Sequence, residues 1–350
     1  MSSLSAAAAR VAVDAIGGDH GAGVVVEGAV AAARELGLRV LLVGPEATVR
    51  AELQKHGAVS GIDVMDAPDS IDMAESVSRA TLKKRSSIHL AVEQVRDGGA
   101  DAFFSAGNTA ACWTIAKLTL GTLEEVDRPA LAAIVPHPTG QTVLLDVGAN
   151  ANCKARHLEE FAVMGTVYTS ALLHVANPRV GLMSMGEEET KGNELTKEVH
   201  EVLKDSSLNF IGNVEGHDLF TGRVDVIVMD GFTGNVALKA SETLAESLMH
   251  VIREELEATP VRKLGALLAK GAFRAVKQRI DPSGYGGAPL LGLKGCCVIG
   301  HGRSSAVAIK HGIRVAAEFS RSGVNQRIEA ELAALGAVRE EREARAEAGA

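Results

Sequence analysis

Short apolar runs recur along this chain, and each ends in a small polar turn that leads into an amphipathic segment. Four copies of this unit occupy residues 10–37, 39–57, 100–118 and 224–256. Apolar runs that alternate with amphipathic helices predict a mainly parallel sheet with helices on both faces. Aromatic residues make up only 3% of the chain, which also favours an α/β fold over an all-β one.

Two further apolar segments lie close together between the third and fourth units. They read "PALAAIVPH" (residues 129–137) and "TVLLDVGAN" (residues 142–150). So short a connection is typical of an antiparallel hairpin, so we expect a mixed sheet.

The 350 residues are enough for one large α/β domain or for two lobes. We expect a disordered extension at residues 1–10, a catalytic domain at 11–330 with a helical hairpin at about 240–280, and a charged tail at 331–350. No apolar run is long enough to cross a bilayer, and the first residues lack the pattern of a signal peptide.

Charge and motif searches exclude several classes of function. The net charge of −8 argues against non-specific nucleic-acid binding. The four cysteines form no C-x-x-C pair, which indicates reduced cytosolic thiols. The P-loop, dinucleotide, nucleophile-elbow and H-E-x-x-H patterns are missing, so we expect no cofactor and no metal. The acidic run Glu187–Glu189 is interpreted as a solvated or lysine-paired face.

Five strand ends are followed by small polar residues. These turns span Asp14–His20, Ser105–Thr109, Asp146–Asn150, Met185–Asn193 and Asp230–Asn235. Ligands of open α/β sheets bind beyond the carboxyl ends of strands, so we expect the five turns to share one edge and form one polar cleft. Small residues at a helix start favour an anion. Ser86 is interpreted as the N-cap of another helix.

Seven motifs in order resemble the PlsX family, the phosphate acyltransferases of bacterial phospholipid synthesis. They are "AVDAIGGDHG", "SAGNTAA", "RPALAAIVP", "LLDVGANANC", "NPRVGLMSMGEEETKGNELTKE", "IGNVEGHDLFTGRVDVIVMDGFTGNVALK" and "GAPLLGLKG". The resemblance extends from about residue 11 to about residue 330. The chain departs from the family where Gly21, Ala22 and Gly23 replace a segment that usually contains proline.

The resemblance implies a fold similar to the isocitrate/isopropylmalate dehydrogenases and a homodimer. It implies that acyl-[acyl carrier protein] and inorganic phosphate react to give acyl phosphate and free carrier protein. The acyl phosphate would feed a membrane glycerol-3-phosphate acyltransferase. The protein would be cytoplasmic, with transient contact at the inner face of the cell membrane.

The residues suit this chemistry without a covalent intermediate, because a thioester is already activated and phosphate can attack it directly. We assign catalytic roles to Lys191, Asp230 and Asn235. Phosphate and oxyanion binding is assigned to Gly107, Asn108, Thr109, Asn150, Asn193, Thr233 and Gly234. Supporting roles are assigned to Asp14, Asp19, His20 and Asp146.

Residues 261–279 carry six basic side chains and no acidic one, with apolar residues at helical spacing. The basic residues are Arg262, Lys263, Lys270, Arg274, Lys277 and Arg279. Three interpretations stay open at this stage: docking of the acidic carrier protein, contact with an anionic membrane, and an ordinary helix packed on the core.

Three other functions compete with this one. A phosphotransacetylase-like enzyme would use acyl-CoA in place of the acyl carrier protein. An NAD-dependent decarboxylating dehydrogenase would need metal-binding carboxylates and a nucleotide site. A non-catalytic scaffold would recruit carrier protein to the membrane and cleave no thioester.

Overall fold

The computed structural model describes residues 8–280 and 286–348, and these form one eleven-stranded mixed sheet. The strands are β1 (Arg10–Asp14), β2 (Arg39–Gly44), β3 (Ile62–Asp66), β4 (Ala102–Ser105), β5 (Ala130–His137), β6 (Gly140–Leu145), β7 (Val180–Met183), β8 (Phe210–Val214), β9 (Val226–Val228), β10 (Ala288–Leu291) and β11 (Cys296–Ile299). Their order in the sheet is β3-β2-β1-β4-β11-β10-β5-β6-β9-β7-β8.

Helices cover both faces of the sheet. They are α1 (Gly21–Leu36), α2 (Glu46–Gln54), α3 (Ser87–Arg96), α4 (Thr109–Leu120), α5 (Ala155–Leu172), α6 (Glu194–Lys204), α7 (Gly231–Glu257), α8 (Pro260–Leu268), α9 (Lys270–Ile280), α10 (Ala306–Arg321) and α11 (Val324–Ala348). The four units and the hairpin of the sequence analysis are therefore confirmed, as β1–α1, β2–α2, β4–α4, β9–α7 and β5–β6.

Alternation along the strands separates two hydrophobic cores. In β1, Val11 and Val13 belong to the core that contains α1, α5 and α10, whereas Ala12 belongs to the core that contains α3 and α4. Successive strand side chains point to opposite faces, which explains the division. Ala237 and Leu238 of α7 pack against the second core, so α7 lies on the face that carries α3 and α4.

The strands of the two halves run in opposite directions. Three antiparallel pairings, β11 with β10, β10 with β5 and β5 with β6, separate the first half from the second. An odd number of reversals leaves β6, β9 and β7 antiparallel to β1, β4 and β11. The expectation that all five polar turns share one edge is therefore wrong: two turns follow strands of one direction and three follow strands of the other.

Strand register nevertheless brings the two groups of turns close in height. Asp146 follows β6 at the level of Leu131, which pairs with Leu290, and Leu290 pairs with Cys297. Cys297 lies two residues before Ile299, the last residue of β11. At a rise of about 3.3 Å per residue, the two strand ends are offset by roughly 7 Å along the strand direction.

The chain contains no helix, within the residues that the structure describes, that is both long and apolar enough to cross a membrane. The segment predicted as a helical hairpin consists of the end of α7 together with α8 and α9. Residues 1–7 of the predicted extension lie outside the described residues.

The contact between α1 and α10 depends on a glycine. A Cβ added at Gly28 would lie 2.5 Å from the Cβ of Ile309 and 2.7 Å from the backbone oxygen of Ala306. We expect Gly28→Ala to lower the free energy of unfolding by about 1–3 kcal/mol, because overpacking outweighs the better helix propensity of alanine. Chemical denaturation of the purified protein measures this.

Gly265 in α8 is the matched control, since a Cβ there meets no described atom within 4 Å. Gly265→Ala is expected to leave stability unchanged or to raise it by up to about 1 kcal/mol. Equal losses at both positions would contradict the packing argument.

Candidate functional site

The turn after β1 is tied to the turn after β4 by a buried carboxylate. The hydroxyl of Ser105 donates to Asp14 Oδ2 at 2.7 Å and accepts from the backbone N–H of Gly107 at 2.9 Å. A Cβ at Gly17 would lie only 2.4 Å from Asp14 Oδ2, so glycine is required there. Burial raises the pKa of Asp14, and hydrogen bonds from Ser87 and Ser105 oppose that shift. Asp14 therefore holds the turns after β1 and β4 together.

Asn108 is committed to the protein's own backbone. Its side-chain oxygen caps α4 by accepting from Ala111 N–H at 3.0 Å. Its amide nitrogen donates to the carbonyls of residues 72, 73 and 75 at 2.9–3.2 Å. In this arrangement Asn108 holds a neighbouring loop in place, and its predicted contact with phosphate would require those bonds to break.

Thr109, Asp19 and His20 lie exposed at the same set of turns. The backbone N–H of Asp19 donates to the Gly302 carbonyl at 2.8 Å, and a Cβ at Gly302 would lie 3.2 Å from the Asp19 carboxylate. The turn after β1 thus contacts the turn after β11.

Asp146 fixes the turn after β6 with every acceptor it has. Oδ1 accepts from the N–H groups of Leu131, Gly148 and Ala149 at 3.0–3.1 Å. Oδ2 accepts from the backbone and side-chain nitrogens of Asn150 at 2.6 and 2.9 Å. The side chain is fully buried, and burial raises its pKa against these bonds. The Asp146 carboxylate is therefore not available to contact substrate.

Asn150 is equally committed. Its side-chain nitrogen donates to Asp146 and to the backbone carbonyl of Pro129, the latter at 2.9 Å. Its backbone carbonyl accepts from Gly231 N–H at 2.8 Å. This last bond joins the turn after β6 to the first residue of α7.

The start of α7 packs tightly on the Asp146 turn. A Cβ at Gly234 would lie 1.9 Å from the backbone oxygen of Asp146, and one at Gly231 would lie 2.8 Å from its Oδ2. No side chain larger than hydrogen fits at either position without displacing backbone. These two glycines allow close approach of helix to turn.

Asp230 is the N-cap of α7. Its carboxylate accepts from Phe232 N–H, Thr233 N–H and the Thr233 hydroxyl at 2.7–3.0 Å. Together with the bond to Gly231, these contacts satisfy the first N–H groups of the helix. The helix start therefore offers an anion fewer free donors than the sequence pattern predicts, and Asp230 acts as a cap in this structure.

Two predicted side chains in the turns after β7 and β9 remain uncommitted. Asn235 is exposed with its amide beside Gly148, whose added Cβ would lie 3.7 Å from Asn235 Oδ1. Lys191 is exposed in the turn after β7. Because β9 lies between β6 and β7 in the sheet, the turns that carry both residues are neighbours. No side-chain hydrogen bond or ion pair of either residue occurs within residues 8–280 and 286–348.

The turn that carries Lys191 is held by pairs of opposite charge. Asn193 caps α6 by accepting from Thr196 N–H at 2.9 Å. Glu187 pairs with Arg223, and Glu189 pairs with Lys204 at 3.0 Å, so one of the three acidic residues has the predicted lysine partner and another has an arginine partner. Glu187, His217 and Asp218 bring three ligand atoms together within the described part of the chain, but Arg223 already supplies a cation to Glu187 and Asp218.

Cys153 lies beside the turn after β6 and is unsuited to nucleophilic attack. Its thiol donates to the Asn150 carbonyl at 3.3 Å. Burial, with the charges of Asp146 and Asp230, raises its pKa to about 11. The thiol is therefore protonated at neutral pH, and a protonated thiol is a weak nucleophile.

Helix α7 connects the two groups of turns. Lys239, one helical turn after Asn235, places Nζ 3.2 Å from Nε2 of His301 in the turn after β11. Neither His301 nor Lys239 is among the site residues predicted from the sequence. The signal available in the sequence was the i, i+4 spacing of Asn235 and Lys239, which places both on one face of a helix.

The part of the basic segment whose side chains are described, residues 261–276, does not pack on the core. No residue of α8 is buried, and four apolar side chains are 59–82% exposed: Val261, Leu264, Leu267 and Leu268. The third interpretation of this segment, an ordinary core-packed helix, is therefore wrong. The side chains of Lys277 and Arg279 lie outside the described residues.

The raised pKa of Asp14 predicts that its contribution to stability depends on pH. A carboxyl group whose pKa is raised in the folded state contributes stability below its unfolded value, 3.8, and that contribution is lost as pH rises through the folded pKa. Asparagine has no such titration. We expect the stability of Asp14→Asn relative to the native chain to increase as pH rises above about 4. Urea unfolding of both proteins between pH 4 and 8 measures the difference, and a pH-independent difference would contradict the assignment.

Comparisons with known proteins identify the family of this chain. A family described as "Fatty acid synthesis protein" matches residues 9–327. The phosphate acyltransferase of Acidobacterium capsulatum is 49% identical over 327 residues, which cover 93% of this chain and 97% of the relative. The phosphate acyltransferase of Aquifex aeolicus is 46% identical over 321 residues, covering 91% and 95% respectively.

Solved structures share the fold at much lower identity. A phosphotransacetylase from Streptococcus pyogenes superimposes with a TM-score of 0.61 at 19% identity, over 89% of this chain and 93% of that one. A protein from Salmonella typhimurium assigned as a 4-hydroxythreonine-4-phosphate dehydrogenase gives 0.51 at 15% identity, over 89% and 98%. These likenesses concern the α/β fold alone.

The sequence resemblance is thus confirmed by a family match over nearly the whole chain and by relatives almost half identical to it. The protein belongs to the PlsX family of fatty acid synthesis proteins.

Proposed function

We propose that this protein is a phosphate acyltransferase that transfers an acyl group from acyl-[acyl carrier protein] to inorganic phosphate. The observation that carries the proposal is membership of a family whose relatives, 46–49% identical over more than nine-tenths of this chain, are named phosphate acyltransferases. The products are acyl phosphate and the free thiol of the carrier protein.

The chemistry is direct attack of a phosphate oxygen on the thioester carbonyl. A new C–O bond forms, a tetrahedral oxyanion develops, and the C–S bond then breaks to release a thiolate. Thiols ionise near pH 8.5, so the thiolate is a fair leaving group without a strong general acid. The high pKa of Cys153 supports a route without a covalent cysteine intermediate.

Side chains, and not helix-start N–H groups, supply the donors in this proposal. The first N–H groups of α7 are occupied by Asp230 and Asn150. The amide of Asn235 therefore stabilises the oxyanion, and the ammonium of Lys191 neutralises charge on phosphate or on the oxyanion. One well-aligned donor lowers such a barrier by about 3 kcal/mol.

The carboxylates of Asp146 and Asp230 position this machinery and do not touch substrate. Asp146 sets the shape of the turn beside Asn235, and Asp230 fixes the start of the helix that carries it. Because both carboxylates are fully bonded to N–H or O–H donors, their charge is turned away from phosphate. Gly234, Thr233 and Asn150 contribute in the same way, by packing.

The α8–α9 surface is proposed to dock the carrier protein. It combines the exposed apolar residues of α8 with basic side chains that include Lys263 and Arg274, and acyl carrier proteins are acidic. An anionic membrane surface is the alternative occupant.

A homodimer is proposed from a different surface. On α7, Leu244, Leu248 and Val251 lie at helical spacing and are 53–70% exposed. An apolar stripe of this kind is commonly covered by a partner. The proposal also includes a cytoplasmic location, transient contact with the membrane and an isocitrate/isopropylmalate dehydrogenase-like fold.

The catalytic assignment predicts the effect of two substitutions. We expect Asn235→Ala and Lys191→Met each to lower phosphate-dependent kcat/KM by about 10²–10³-fold, because each removes a donor that faces developing charge. Release of free carrier thiol from acyl-carrier protein, measured with and without phosphate, gives the rates. Lys197→Met, an exposed lysine on α6, is the matched control and is expected to keep normal turnover. Normal turnover in both site variants would refute the assignment.

Docking predicts a salt-dependent effect at the basic surface. We expect Lys263→Glu with Arg274→Glu to raise KM for acyl-carrier protein about tenfold or more at low salt, while leaving KM for phosphate unchanged. Arg39→Glu, at the exposed start of β2, is the control. If the double variant loses liposome binding but keeps its KM for carrier protein, the membrane is the occupant and the docking proposal is wrong.

Acyl-CoA is the substrate that a phosphotransacetylase-like enzyme would use in place of acyl-carrier protein. Comparing kcat/KM for acyl-CoA and for acyl-carrier protein separates the two enzymes, and we expect a preference for the carrier protein.

A further inference from the structure

Lys239 is a basic residue of α7 that lies one helical turn beyond Asn235. Lys239 Nζ lies 2.8 Å from Glu242 Oε2 and 3.2 Å from Nε2 of His301. An α-helix rises about 6 Å over four residues, so this pair is close to the amide assigned to the oxyanion. Lys239 and His301 both lie exposed and open to solvent.

The contact between Lys239 and His301 lacks an acceptor. The backbone N–H of Arg303 donates to His301 Nδ1 at 3.2 Å. A neutral imidazole that accepts at Nδ1 carries its proton at Nε2, and an ammonium has three donors and no lone pair. Two donors therefore face each other at 3.2 Å. A single oxygen atom that accepted from both would make this arrangement favourable.

The charges around this contact are of both signs. The guanidinium of Arg303 belongs to the same turn and lies 3.6 Å from Glu246. Burial and the charges of Lys239 and Arg303 lower the pKa of His301, whereas Glu242 and Asp19 act in the opposite direction. The imidazole is thus held neutral beside a fixed ammonium, and a bound anion would raise its pKa again.

We propose that Lys239 and His301 form a phosphate-binding site, in which one phosphate oxygen lies between the ammonium and the Nε2–H group. This inference rests on the proposed function, because it adds a second anion site to the same cleft. Two sources share the chemistry: inorganic phosphate, the attacking substrate, and the phosphodiester that joins a carrier protein to its thioester arm.

The direct test is titration of inorganic phosphate into the full-length protein by calorimetry. Each of Lys239→Met and His301→Gln is expected to weaken phosphate binding by about 10–100-fold, the effect of one charge-assisted hydrogen bond. Lys55→Met is the matched control, since Lys55, the C-cap of α2, is also an exposed lysine that pairs with a glutamate three residues away, Glu52. The control is expected to bind phosphate normally.

A second measurement reports on the imidazole itself. Saturating phosphate is expected to raise the pKa of His301, followed by its ring-proton resonance in nuclear magnetic resonance, and Lys239→Met is expected to reduce that rise. This readout is independent of acyl transfer. If phosphate shifts His301 but the native chain makes no acyl phosphate, the proposed function fails while the site stands.

Steady-state kinetics distinguishes the two sources of phosphate. A raised KM for phosphate in both variants identifies the free substrate. A raised KM for acyl-carrier protein alone, with unchanged phosphate binding, identifies the phosphodiester of the arm. Unchanged phosphate binding and unchanged values of both KM constants in the two variants would overturn the proposal.

Discussion

The buried carboxylate of Asp146 is the interaction on which the rest of this site depends. It accepts five N–H bonds and fixes the turn after β6 in one shape. Helix α7 can approach that turn only because Gly231 and Gly234 have no side chains. A buried carboxylate with unmet acceptors would be very costly, so this turn and the helix start form as a unit.

One consequence is that most polar groups near the turns are occupied by the protein itself. Asn108, Asn150, Asn193 and Asp230 cap helices or hold loops. The exposed side chains that are left to contact a ligand include Thr109, Lys191, Asn235, Lys239 and His301. The interior bonds make the frame rigid, and a rigid frame positions the few free donors without reorganisation during the reaction.

The second consequence follows from strand direction. Because β6, β9 and β7 oppose β1, β4 and β11, the polar turns form two groups that point away from each other. Helix α7 reconnects them, since it starts against the Asp146 turn and contacts His301 at Lys239. Contacts along α7 therefore link turns of both halves, in place of the single sheet edge that the sequence predicts.

The sequence by itself determined the repeating strand–turn–helix units, the hairpin at residues 130–145, the cap at Ser86 and the family, because these depend on local periodicity, turn chemistry and linear motifs. Only the tertiary structure decided which polar residues are free. Asp230 and Asn235 are both polar residues of one motif, yet Asp230 caps the helix and the Asn235 side chain is exposed. Lys239 contacts His301, 62 residues away, and such a contact depends on strand order and helix packing, which no local pattern encodes.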